Sequence, residues 1–176
     1  VWLSYHSYGN LLLYPWAYTA GYTTDHAIYE EMGERMTAAN GYLPGNVATG
    51  AIYLVNGGSD DWGWGDDTNR APIYAFTPEV GTSDDGGFGP PDSLIGPYFD
   101  ALLPMNMKAL ELAGNPARVL GPTAPVLLSA GGTALGELVL SWTDNVPGDA
   151  NPAVSYEIES TRNPAFVAAV DARSEE

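Results

Sequence analysis

A single carboxylate, Glu79, closes the apolar segment Ile73-Tyr74-Ala75-Phe76-Thr77, and no Lys or Arg follows it for several residues. A carboxylate delivered by the end of an apolar strand suits a cleft. Burial there raises its pKa and fits it for general-base work. The same pattern also describes a strand-end Glu that faces water. The other groups able to do chemistry lie upstream of it. Tyr53 sits in the apolar run Ala51-Ile52-Tyr53-Leu54-Val55, and the flexible loop Asn56-Gly57-Gly58-Ser59 follows. Asp60-Asp61-Trp62 and a second acidic turn, Asp66-Asp67, come next. Near the start, His6 ends the strand-like run Val1 to Tyr5, where a His packed between Tyr5 and Tyr8 is the plain alternative to a ligand.

These groups need elements to hold them. Thr23, Thr24 and Asp25 are N-cap candidates for a helix carrying Ile28, Met32 and Met36 on one face, with Glu30, Glu31 and Glu34 solvated. Asn40-Gly41 is its stop signal. After Glu79 the chain turns loose and acidic through Asp84-Asp85-Gly86-Gly87. A second helix then opens at Asp92 or Ser93, with Ile95, Phe99, Leu102 or Leu103, Met107, Leu110 and Ala113 as its expected buried stripe and Pro104 as an expected kink. Residues 115–125 read as a proline-rich linker. Beyond them, Val126-Leu127-Leu128, Leu138 to Trp142 and Val154 to Ile158 read as short strands of a half-buried sheet. Three or four strands are too few for a stable sandwich, so this part is expected to be cut short.

Composition narrows the partners. The 176 residues hold 45% hydrophobic side chains, 14 Pro and 21 Gly, which points to a real core with many turns. Net charge is −16 with only six Lys and Arg, against nucleic acid and against anionic membranes. No apolar run approaches the length of a bilayer span. There is no cysteine, hence no disulfide and no thiolate nucleophile or ligand. An acidic, Tyr- and Trp-rich composition is compatible with secretion. The clustered carboxylates at Asp66-Asp67 and Asp84-Asp85 could take calcium, although neither spacing matches a calcium loop and solvated loops are the favoured reading.

Two segments together resemble the zinc metallocarboxypeptidases (carboxypeptidase A/B-like, peptidase family M14): Ser4-Tyr5-His6-Ser7-Tyr8-Gly9-Asn10-Leu11-Leu12-Leu13-Tyr14-Pro15-Trp16, and Ile52-Tyr53 through Glu79. The resemblance covers residues 1–114 and implies an α/β fold: the second half of a mixed-sheet carboxypeptidase-like domain, followed by a truncated β-sandwich segment over 126–176. It implies Zn2+ as cofactor with His6 as one ligand, and Glu79 as the base acting on zinc-bound water. Tyr53 would be the mobile tyrosine over the substrate, and Tyr8 would line outer subsites. Asp60 would be the base of the pocket for the C-terminal side chain, preferring Lys or Arg; a slip of one position would put Asp61 there instead.

The implied partners are peptide or protein C-termini, with no nucleic acid and no membrane span, and the implied location is extracellular. The His-x-x-Glu motif and the substrate-holding arginines of the family have no match here. The chain is therefore expected to be a fragment, inactive and a weak zinc binder by itself. His26 is expected on the surface at a helix start. The segments Leu140-Ser141-Trp142-Thr143 and Ser155 to Glu159 faintly resemble a fibronectin type III-like module. The competing reading is a non-catalytic extracellular module whose aromatics bind carbohydrate or peptide; a family member that keeps the fold and has lost the metal is a third.

Overall fold

The computed structural model describes residues 1–66 and 68–121, and the backbone of 126–132 and 138–143. The first unit, Val1–Pro116, is organised around strand β4 (Ala75–Glu79). β1 (Trp2–Leu3) runs parallel to β4 on one side, and β2 (Leu11–Leu13) antiparallel to it on the other; β3 (Leu43–Gly45) adds parallel to β2, giving the order β1-β4-β2-β3. Residues 75–78 of β4 are buried, as a strand covered on both faces should be. Pro78 has no N–H to give to the ladder, but its carbonyl accepts the His6 N–H at 2.9 Å, and Val80 N–H donates to His6 O at 2.9 Å. That pairing continues the parallel register one step past β1 and sets His6 beside Glu79.

Helix α1 (His26–Thr37) buries Ile28, Met32 and Met36 as their spacing predicts, together with Tyr29. Tyr29 is fully buried and stacks on Tyr14 (5.5 Å between centroids), with Phe76, Trp64 and Tyr74 around it. Each such buried ring contributes roughly 1.5–3 kcal/mol relative to exposure. Asp25 is the residue before α1, yet its carboxylate makes no cap bond; it accepts the Tyr74 hydroxyl instead. Gly41, at φ +69°, sends its N–H back to Thr37 O and ends the helix region where the Asn-Gly signal placed the stop.

The sequence pattern gives a flexible loop at 56–59 and an acidic turn at 66–67, with no element assigned between them. The structure has a short helix there, α2 (Ser59–Gly65). It lies close on β4: a Cβ added at Gly63 would come 2.7 Å from the Ala75 Cβ. Helix α3 (Ile95–Ala113) follows a 3-10 turn at Asp92–Leu94 and runs unbroken through Pro104, where a kink or split was expected. Its burial is also the reverse of the expected stripe. Met105, Ala109 and Leu112 are the buried residues, whereas Ile95, Phe99, Leu103, Met107 and Leu110 are exposed. α3 packs on α1 through the Met105 side, with the Tyr5 hydroxyl donating to Asn106 and Asn40 approaching the Met105 sulfur at 3.8 Å.

The second unit begins at Ala117. Within the stretch read as a linker, Pro116–Leu120 forms a 3-10 turn. β5 (Val126–Gly132) and β6 (Leu138–Thr143) then pair antiparallel, with a bulge between Leu127 and Ser129. The strand expected at 154–158 lies outside the described residues, and nothing described confirms a fibronectin type III-like sandwich.

Candidate active site

The strand end of the sheet opens into a cleft of about 210 Å³, with His6, Asp60, Thr77 and Glu79 contributing polar groups and Leu13, Ala17, Ile52 and Val55 an apolar wall. His6 and Glu79 occupy bridged positions on neighbouring parallel strands, so their side chains leave the same face of the sheet. His6 is exposed, with the Ser4 hydroxyl 3.4 Å from Nε2. Glu79 is half-buried. Burial raises its carboxyl above the ordinary value, and the nearby His6 opposes that rise. A carboxyl so placed can take a proton from water and give it back.

Asp60 and Asp61 are adjacent in sequence and both buried, but they face different tasks. Asp60 lines the cleft, and one of its oxygens accepts the Asp61 N–H at 3.0 Å. Burial raises its carboxyl, while that N–H and His6 oppose the rise. Asp61 turns away and accepts the backbone N–H groups of Ala17 (2.8 Å) and Tyr18 (3.0 Å). Burial raises its carboxyl too, with the Ala17 N–H opposing and the Asp60 charge adding. Of the two registers open in the sequence, this geometry puts Asp60 in the cleft and makes Asp61 a brace between α2 and the 16–18 segment.

Tyr53 stands on the rim, 77% exposed, on the segment that leads into the Gly57 turn at φ +77°. Tyr8 is not brought into the cleft lining. Its ring meets Phe88 edge-to-face at 5.0 Å and lies over the backbone of Gly87. Phe88, just after the Gly86-Gly87 turn, is 82% exposed. His26 is half-buried rather than on the surface. Tyr22 stacks on its ring at 3.9 Å, and its buried Nδ1 has no hydrogen-bond partner.

Among the described residues no group of three His, Cys, Asp or Glu could hold a metal. One imidazole does not fit a zinc ion by itself, since catalytic zinc takes three protein ligands. One carboxylate of each acidic turn bonds internally: Asp66 accepts the Asn69 amide, and Asp85 accepts the Thr82 N–H and hydroxyl. Asp67 lies outside the described residues. No described helix is long and apolar enough to cross a membrane.

Known proteins share this arrangement in part. The zinc carboxypeptidase family pattern matches residues 1–104. Carboxypeptidase B of Astacus astacus is 34% identical over 103 residues, covering 55% of this chain and 33% of that protein. Zinc carboxypeptidase of Simulium vittatum is 36% identical over 104 residues, covering 55% and 33%. Carboxypeptidase A1 of Bos taurus is 35% identical over 101 residues, covering 54% and 23%. The crystal structure of thrombin activatable fibrinolysis inhibitor superposes with a TM-score of 0.54 at 27% identity, over 64% of this chain and 29% of the other. The chain thus spans about a third or less of each of these relatives. The residues matched by the family pattern are those that build the sheet, the cleft and α2, and the chain belongs to the zinc carboxypeptidase family.

Proposed function

We propose that this chain supplies the general base, the side-chain pocket and the rim tyrosine of a secreted zinc carboxypeptidase acting on peptide C-termini. The supporting observation is the convergence of His6, Glu79, Asp60 and Tyr53 on one cleft although they are spread over 73 residues of sequence. Glu79 holds and moves the proton: its raised carboxyl accepts one from the attacking water and returns it to the leaving amine. Asp60 offers a buried carboxylate in a cleft that apolar Leu13, Ala17, Ile52 and Val55 also line. That pairing suits a Lys or Arg side chain, whose stem is apolar and whose head is cationic. Tyr53 on its exposed turn is placed to close over a bound peptide. His6 would be one of three zinc donors, the other two not being among the described residues. The chain alone is then inactive and binds zinc weakly.

Two measurements test this. Isothermal titration of the chain with zinc should give no stoichiometric binding at about micromolar affinity; tight one-to-one binding would contradict the reading. Residues 1–104 should also replace the matched segment of the Astacus enzyme and give a chimera that cleaves hippuryl-arginine in preference to hippuryl-phenylalanine. Asp60→Ala in that chimera should remove the preference. An equal loss on both substrates would remove Asp60 from the specificity role, and full activity in Glu79→Gln would remove Glu79 as the base.

A further inference from the structure

A second hollow on the 1–116 unit, an open groove of about 630 Å³, shares only Gly58 with the cleft. Its walls are aromatic. Trp16 and Tyr18 meet edge-to-face at 5.2 Å, and Trp62, 55% exposed, lines the same groove. Gly65 forms bare floor: a Cβ there would lie 3.0 Å from the Trp16 indole, so the ring rests directly on backbone. On the rim, Asp66 accepts the Asn69 amide at 2.8 Å, which sets a carboxylate and a carboxamide side by side.

The rings are held in place. Asp61 ties down the segment carrying Trp16 and Tyr18 through the Ala17 and Tyr18 N–H groups. Arg70 covers one face of Trp62 at 4.4 Å while donating to the carbonyls of Trp62 and Gly63 at 2.6 and 2.7 Å. Exposed aromatic faces held this rigidly cost hydrophobic free energy in the free protein and lose no side-chain entropy when a ligand covers them.

The chemistry of the lining selects among ligands. An anion would meet two Asp side chains on a chain of net charge −16. An organic cation would find the Arg70 guanidinium already over Trp62, both Asp61 oxygens taken by backbone N–H groups, and one Asp66 oxygen already taken by the Asn69 amide. A wholly apolar segment would strand Asp66 and Asn69 without water. What remains is a neutral molecule with apolar C–H faces and many hydroxyls. Such faces stack on aromatic rings, and neighbouring hydroxyls can donate to a carboxylate and accept from an amide at once. We propose that the Trp16–Tyr18–Trp62 groove binds a neutral pyranose oligosaccharide. This does not rest on the peptidase reading, and its failure would leave that reading intact.

The test is titration of the chain with cellohexaose, chitohexaose and maltohexaose, followed by tryptophan fluorescence and by the indole N–H signals in two-dimensional NMR. At least one sugar should give a saturable change that moves the Trp16 and Trp62 indole signals, with a dissociation constant of about millimolar or tighter. Trp62→Ala should weaken it by about tenfold or more. Because Trp62→Ala could disturb α2, Asn69→Ala, an exposed rim change, should also weaken binding severalfold with an unchanged circular dichroism spectrum. No saturable change with any of the three sugars would overturn the proposal. So would sugar binding that survives both substitutions. Penta-arginine moving the same indole signals when the sugars do not would overturn it in favour of a cation site.

Discussion

Asp61 shows how much one oxygen pair can hold. Its two bonds, to Ala17 and Tyr18 N–H, join the start of α2 to the segment that forms both the cleft wall and the aromatic groove. Asp61→Ala strands two backbone donors at a part-buried site and should cost about 1–3 kcal/mol in urea denaturation. Asp60, Asp61 and Glu79 all have carboxyls raised mainly by burial. A raised carboxyl binds its proton more tightly in the folded chain than in the unfolded one. The resulting stabilisation is fully present below the ordinary carboxylate pKa and is lost as pH rises through the raised native value. Urea midpoints should therefore fall as pH rises above the ordinary carboxylate value of about 4. Asp60→Asn keeps an oxygen to accept the Asp61 N–H and removes a buried charge, so it should flatten that fall and raise the midpoint at neutral pH. A midpoint that rises steadily over the same range would contradict the assignment.

At the level of elements, α2 and α3 were the two places where local pattern misled. α2 is seven residues long with three glycines among the flanking and internal positions 58, 63 and 65, so intrinsic propensity argues against it. It forms because β4 receives it closely at Gly63 and because Arg70 takes the carbonyls of its last turn. α3 has apolar residues around most of its circumference. The stripe Ile95-Phe99-Leu103-Met107-Leu110 and the face Met105-Ala109-Leu112 are both readable as core, and packing against α1 chose the second. Met105→Ala should then cost about 2–5 kcal/mol. Phe99→Ser should change stability by no more than about 0.5 kcal/mol while lowering binding of a hydrophobic dye. Equal losses at the two positions would show that the outer stripe is covered in solution.

For the molecule as a whole, charge dominates. With net charge −16 and six basic residues, self-repulsion opposes the compact state. Raising NaCl from about 0.01 to 0.1 M shortens the screening length from about 30 to 10 Å, so the melting midpoint should rise over that interval in a thermal scan. An unchanged or falling midpoint would place the acidic groups in local pairs rather than in a repelling field.

The sequence by itself determined the family, the strand that carries Glu79, and the α1 stripe of Ile28, Met32 and Met36. Each rests on local order: a motif or a period. Only the tertiary structure decided which of Asp60 and Asp61 faces the cleft, because two neighbouring carboxylates are equivalent until one meets the Ala17 and Tyr18 N–H groups. It alone set Tyr8 against Phe88, and it alone gathered Trp16, Tyr18 and Trp62 into one groove. Those outcomes depend on contacts between residues far apart in the chain, and hydrophobic pattern carries no information about which of two apolar faces will find a neighbour.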